Sequence, residues 1–219
     1  MGDLGKSDVL VDMCVQREYF LPDSPHRCVN AGPVSRCVRK MMAFARWART
    51  PVLSCIDTHR PHDIGAEFVT AAGDGSPIER MIGGTLLPRH RVIESDNCLC
   101  IALDVLKDQQ QAIFTKVHRD PFTNPKLERL LTEMPARRFV LFGVPLESSL
   151  RLLALGLMMR GRRVMLIEDG CGYYRDAEAS MVLRQLSVKG CEISQSEHYI
   201  RDAVAIASQR RRGRPRNVA

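Results

Sequence analysis

The sequence predicts an α/β domain built on a doubly wound, mainly parallel sheet. Short apolar segments alternate with amphipathic helical segments along the 219 residues, a rhythm typical of parallel strands covered by helices on both faces. The composition, 45% hydrophobic and 26% charged, is that of an ordinary globular protein. The length suits one well-buried domain and is short for two.

The predicted elements follow one another without an internal repeat. Strands are expected at residues 8–15, 51–57, 98–103, 111–117, 138–144, 163–168 and 191–194. Helices are expected at residues 34–48, 125–133, 147–160 and 177–188, with a last helix ending near Ser208. Residues 58–97 are rich in Gly and Pro and show no clean period, which predicts a functional loop or lid.

Composition and termini exclude several classes of protein. No apolar run reaches the roughly 18 residues that a membrane span requires. The first residues, MGDLGKSD, lack the basic start and apolar core of a signal peptide, so we expect a cytoplasmic protein with no membrane partner. In that compartment the eight cysteines are expected to be free thiols. Only Cys98 and Cys100 are closely spaced, and one intervening residue is the wrong gap for a zinc knuckle.

The positive charge is concentrated at the C-terminal end. The net charge is +7, and without the five arginines among the last ten residues it falls to +2. We therefore divide the chain into a globular domain, residues 1–208, and a basic tail, residues 209–219, predicted to be disordered. Within the tail, Arg212, Gly213, Arg214 and Pro215 resemble the core of an AT-hook, which lies in the minor groove of A·T-rich DNA. The alternative is a solvated tail weakly attracted to any polyanion.

The fold class itself selects a candidate site. In open parallel sheets, ligands bind at the carboxyl ends of the strands, near the point where the connections change direction. Asp12, Lys116 and the turn Gly143-Val144-Pro145 lie near such strand ends, so we expect them to converge at one edge. The alternative is structural, with Asp12 at a strand end and Lys116 as its ion-pair partner.

Four segments carry a resemblance to a known family. They are Val11-Asp12-Met13, Phe114-Thr115-Lys116 followed by Phe122, residues 143–150 with Ser149, and residues 167–171. In this order and spacing they resemble the isochorismatase-like cysteine hydrolases, which include nicotinamidases and N-carbamoylsarcosine amidases. The resemblance covers residues 8–194.

The resemblance implies a reaction scheme and shows where this chain departs from it. In the family, a cysteine thiolate attacks an amide or similar carbonyl, an aspartate accepts the thiol proton, and a lysine favours the anionic forms. By position, Asp12 and Lys116 are kept, and Ser149 replaces the cysteine. Pro145 is expected to follow a cis peptide bond but lacks the N–H that helps stabilise the oxyanion. Leu146 stands where the family usually has threonine.

These departures leave three interpretations open. The first is a catalytically inactive or altered hydrolase-like protein, a pseudoenzyme, that keeps a small-molecule pocket. The second is an active hydrolase of C–N or related bonds that uses Ser149 with Asp12 and Lys116. The third is a small-molecule-binding protein tethered to DNA by its tail. Ser149 also has a structural interpretation, as a helix-start hydroxyl, and Cys14 is an outside candidate for a reactive thiol because strand alternation predicts that it shares a face with Asp12.

The resemblance also raises the question of a metal. Asp57 and His59 resemble the Asp-x-His element of the zinc site in nicotinamidases, but residues 80–85 offer no histidine before the Gly-Thr pair. Zinc is possible on this pattern but its ligand set is incomplete, so no cofactor is predicted. A homo-oligomer is expected by resemblance only.

Overall fold

A computed structural model describes residues 7–58, 76, 78–96 and 98–212 of the chain, with residues 207–212 described as helix only. The strands are β1 (Asp8–Met13), β2 (Val52–Asp57), β3 (His90–Ile93), β4 (Gln111–Lys116), β5 (Arg138–Gly143), β6 (Val164–Cys171) and β7 (Glu192–Ser194). The helices are α1 (Ala31–Ala48), α2 (Val105–Asp108), α3 (Pro125–Glu133), α4 (Arg151–Met159), α5 (Asp176–Val188) and α6 (Ser196–Arg212).

The strands form one parallel sheet, so the predicted fold class is confirmed. Their order is β3-β4-β2-β1-β5-β6-β7, and every pairing within the sheet is parallel. The inner strands β1 and β4 are buried along their whole length, as a sheet covered on both faces requires. Helices α1 and α6 pack together over β6, and α4 and α5 form a second pair that contacts β6 and β7.

The order of the strands fixes the switch point between β1 and β5. The chain leaves β1 through α1 toward β2, and it leaves β5 through α4 toward β6, in the opposite direction. Because such crossovers are right-handed, the two connections cover opposite faces and leave a crevice at the carboxyl ends of β1 and β5. Gly143 is the last residue of β5, next to this crevice, and has a φ of 116°. A Cβ at this position would lie 2.2 Å from the carbonyl oxygen of Met13.

Some predicted boundaries were wrong for identifiable reasons. The strand expected at 98–103 is absent, since that segment is a loop with exposed Cys98, Leu99 and Cys100. The strand at this edge of the sheet is instead β3, which lies inside the segment expected to be irregular. It was missed because only its last residue is buried, so its apolar pattern is weak. Helix α6 continues past Ser208 to Arg212, so the start of the predicted tail is helical. No helix among the described residues is long and apolar enough to cross a membrane.

Candidate active site

An ion pair between a buried lysine and a partly buried aspartate lies at the carboxyl edge of the sheet. Strands β2 and β4 pair in register so that Asp57 lies beside Lys116, and the Lys116 ammonium contacts Asp57 Oδ1. Burial alone would lower the pKa of Lys116, but the charge and hydrogen bond of Asp57 oppose this effect, and the pKa of Lys116 lies above its usual range. Burial likewise opposes ionisation of Asp57, yet the Lys116 charge keeps the pKa of Asp57 below its ordinary value. The two groups are therefore a charged pair at neutral pH.

Ser149 lies beside this pair. After β5, residues Leu146–Leu150 form a single π-helical turn that runs into α4, and Ser149 is buried within it. Its hydroxyl oxygen is 3.5 Å from Lys116 Nζ. Among the residues that the structure describes, no carboxylate accepts a hydrogen bond from this hydroxyl. The structure thus brings Lys116 and Ser149 together, but it places no carboxylate base on the serine in the part of the chain that it describes.

The backbone N–H groups on either side of Pro145 are already used. The Val144–Pro145 peptide bond is cis, which confirms that expectation. The N–H of Val144 donates to Met13 O at 2.8 Å, and the N–H of Leu146 donates to Gly172 O at 2.8 Å. Pro145 has no N–H at all. None of these three positions offers a free donor to an oxyanion.

Asp12 faces the other side of the sheet. It pairs in register with Ser54, whose hydroxyl donates to Asp12 Oδ2, while Gln111 Nε2 donates to Ser54 Oγ at 2.8 Å. Ser54 and Asp57 are an odd number of residues apart on β2, so their side chains point to opposite faces. The expected convergence of Asp12 with Lys116 and Ser149 is therefore not found in the structure. Asp12 Oδ1 is buried without a hydrogen-bond partner, and burial, partly offset by the Ser54 hydrogen bond, raises the pKa of Asp12 to about 7.

Cys14 lies on the face of the sheet opposite to the one that strand alternation predicted. Strand β1 ends at Met13, and Cys14 adopts a left-handed φ of 50°, rare for a residue with a side chain. The pleat is broken there, and the thiol lies near the Asp57 carboxylate instead of sharing the face of Asp12. Burial, reinforced by the Asp57 charge, holds the pKa of Cys14 well above its usual range. The thiol is protonated at neutral pH.

Asp57 is the most heavily bonded member of the site. Lys116 contacts Asp57 Oδ1, and Tyr19 donates a hydrogen bond to the other carboxylate oxygen, Oδ2, at 2.6 Å. The Gln16 side chain accepts from the Asp57 N–H at 2.7 Å and donates to its carbonyl at 3.0 Å. Arg80 also donates to that carbonyl at 3.0 Å and forms an ion pair with Glu18 at 3.1 Å. Sequence reasoning considered Asp57 only as a metal ligand and missed this role as the counter-ion of Lys116.

The Asp57 arrangement does not fit a bound metal. Both of its carboxylate oxygens have protein donors, and the guanidinium of Arg80 lies in the segment where a further histidine was sought. Within the described ranges, no group of three or more His, Cys, Asp or Glu side chains could hold a metal ion. His59, the predicted companion ligand, lies outside the described residues, as do Gly213, Arg214 and Pro215 of the predicted DNA contact. Arg212 is the last residue of α6.

Comparison with known proteins agrees with the fold. Residues 9–198 match the family described as the Isochorismatase domain. An isochorismatase family protein from Desulfovibrio vulgaris has a similar structure, with a TM-score of 0.70 and 16% identity over 91% of this chain and 98% of that one. A pyrazinamidase of Pyrococcus horikoshii in complex with zinc gives a TM-score of 0.61 and 20% identity, covering 86% of this chain and 99% of its own.

A third similar structure is that of a ribonuclease. The MAR1 ribonuclease from Caenorhabditis elegans gives a TM-score of 0.60 and 14% identity over 91% of this chain and 82% of that one. No curated protein sequence matches the chain. Identities this low show the shared fold alone. The family match spans most of the sequence, however, and the chain therefore belongs to the isochorismatase family.

Proposed function

We propose that this chain is a catalytically altered member of its family that binds a small molecule at the carboxyl edge of the sheet and does not hydrolyse amides by the Asp–Lys–Cys route. One observation carries the proposal: Lys116 is paired with Asp57, and among the described side chains Ser149 has only Lys116 within hydrogen-bond reach. A serine hydroxyl needs a base to become a nucleophile. Asp12, the base expected from the resemblance, is bonded to Ser54 on the opposite face.

The chemistry of the turn supports the same proposal. Removing a single oxyanion donor typically costs an enzyme roughly 10²–10³ in rate. Here Pro145 has no N–H, and the N–H groups on either side are bonded within the protein. The site keeps a hydroxyl, a thiol and an ion pair, which suit recognition of a polar small molecule.

A panel of small amides tests the proposal. We expect no turnover by the wild type above that of Ser149→Ala, and calorimetric binding of at least one amide or carboxylic acid that Ser149→Ala and Lys116→Met weaken. Asp12→Asn is the matched control, because it changes a buried carboxyl on the other face and should leave binding unchanged. Turnover that is lost in both Ser149→Ala and Lys116→Met would overturn the altered-enzyme proposal. Absence of binding across the panel would overturn the proposal that this edge of the sheet binds a small molecule.

The second candidate is an active hydrolase that uses Ser149. It is favoured by the 3.5 Å approach of Lys116 Nζ to the serine oxygen, since serine–lysine pairs catalyse acyl transfer on other folds. The Lys116 amine would have to be neutral, whereas its neighbours raise its pKa. Ser149→Cys separates the two candidates further. A variant that gains thiol reactivity without turnover leaves Pro145 as the remaining defect.

The basic C-terminal end supports a third candidate, a domain brought to a nucleic acid. Five arginines follow Gln209, and a ribonuclease shares the fold, so DNA and RNA oligonucleotides are both suitable probes. Changing the five arginines to glutamine should abolish an affinity that falls steeply with salt concentration. If the unmodified chain shows no such affinity, the candidate is rejected. A cytoplasmic location and a homo-oligomer also stay predictions.

A further inference from the structure

The two cysteines Cys98 and Cys100 differ from the rest of the thiols in the chain. Six of the eight cysteines are buried, and these two are exposed in the loop between β3 and α2. Buried thiols behave as small apolar side chains, whereas exposed thiols can meet a soluble reactant. The fold therefore presents one pair of accessible thiols, separated by Leu99.

The loop turns the backbone of Cys100 toward the sulfur atom of Cys98. The N–H of Cys100 donates to Cys98 Sγ at 3.2 Å. The N–H of Cys98 donates to Asp96 Oδ1 at 2.9 Å, which turns the chain just before the pair. A backbone N–H aimed at a sulfur atom favours the thiolate form of that sulfur.

Two cations of α3 hold this loop in place. Lys126 Nζ donates to Asp96 Oδ2 at 2.7 Å, and Arg129 Nη1 donates to Leu99 O at 3.1 Å. Hydrogen bonds from the Cys100 thiol and the Cys100 N–H are the largest effects that lower the pKa of Cys98, and the Lys126 charge adds to them. The neighbouring Cys98 raises the pKa of Cys100. The two cysteines thus lie in different environments, since only Cys98 Sγ accepts a backbone N–H within the loop.

We propose that Cys98 and Cys100 form a reactive dithiol that exchanges with low-molecular-mass disulfides, with Cys98 as the attacking thiolate and Cys100 as the resolving thiol. In the first step, Cys98 Sγ attacks one sulfur of the oxidant, its S–S bond breaks, and one thiolate leaves with the electron pair. In the second step, Cys100 loses its proton to solvent and attacks Cys98 Sγ, which releases the second thiol. The protein pair is oxidised by two electrons and the small disulfide is reduced to two thiols.

Mass spectrometry of the full chain treated with oxidised glutathione tests this proposal. A metal chelator is present, and the reaction is stopped with acid before the remaining thiols are alkylated. Cleavage after Arg91 and Lys107 yields one peptide, residues 92–107, that contains both cysteines and no others. We expect this peptide to lose two hydrogen atoms, the signature of an internal disulfide, while the six buried cysteines stay alkylatable only after unfolding in urea.

Single substitutions assign the two roles. Cys100→Ser should stop at a stable mixed disulfide on Cys98, because no resolving thiol remains. Cys98→Ser should form its mixed disulfide on Cys100 at least about tenfold more slowly, since Cys100 lacks the donors that favour a thiolate. Both side chains are exposed, so neither variant removes core packing. Equal rates in the two variants, or a wild type that never forms the internal disulfide, would overturn the proposal.

Discussion

The buried carboxyl of Asp12 makes the stability of the protein depend on pH in a direction that a surface aspartate would not. Burial, partly offset by the Ser54 hydrogen bond, raises its pKa from 3.8 to about 7. The folded state therefore holds the Asp12 proton more tightly than the unfolded chain. The stabilisation that results is complete below about pH 4 and is lost as the pH rises through about 7.

The change Asp12→Asn isolates this effect. A pKa difference between 3.8 and about 7 corresponds to about 4 kcal/mol across the whole window, at about 1.4 kcal/mol for each pH unit. Asparagine keeps the shape of the carboxyl and an acceptor for the Ser54 hydroxyl, but it does not ionise. The free energy of unfolding of the variant, relative to wild type, should therefore rise by about 3 kcal/mol between about pH 5 and about pH 8.

Urea denaturation of both proteins at the two pH values measures this difference directly. The exposed carboxyl of Asp202 provides a control, because Asp202→Asn should change the free energy of unfolding by less than about 0.5 kcal/mol at either pH. A difference between Asp12→Asn and wild type that does not vary with pH would refute the reasoning. A variant that loses stability as the pH rises would refute it more strongly, since Asp12 would then be a stabilising anion.

Two further substitutions test the site and its frame. Asp57→Asn should reduce the free energy of unfolding by about 3–5 kcal/mol, because it leaves the Lys116 ammonium buried without its counter-ion, and the double variant Asp57→Asn/Lys116→Met should recover much of that loss in the same urea assay. Gly143→Ala should cost at least about 3 kcal/mol, since its Cβ would overlap the Met13 carbonyl, whereas Gly190→Ala, also at positive φ but with open space around it, should cost only about 1 kcal/mol. Similar losses at the two glycines would contradict the steric explanation.

The fold could be predicted because its signals are local. Apolar runs and amphipathic helices mark most elements within their own sequence, and their alternation is enough to indicate a parallel sheet. The edge strand β3 escaped prediction because an edge strand with one buried residue leaves almost no apolar period. The Val144–Pro145 cis bond was predictable because proline tolerates that conformation most readily.

The composition of the site could be predicted only in part, because it depends on register between distant strands. Lys116 and Ser149 were named from the resemblance, and they do lie together. Which carboxylate faces Lys116 depends on whether β2 and β4 align Asp57 or another residue with it, and nothing local in either strand specifies that alignment. Cys14 could not be placed because its left-handed backbone breaks the alternation on which the prediction rested.

The two carboxylates at the sheet illustrate how the face on which a carboxylate lies separates a structural role from a chemical one. Asp12 is buried and Asp57 is partly buried, each next to a hydroxyl group, but only Asp57 faces a cation, and their pKa values move in opposite directions. A base that accepts a proton from Ser149 would have to be an anion on the Lys116 face that is free of other donors. Asp57 is an anion on that face, yet Lys116 and Tyr19 occupy both of its oxygens. The same contacts that make the ion pair stable thus occupy the group that could activate the serine, and the loss of amide hydrolysis that we propose rests on how this carboxylate is held.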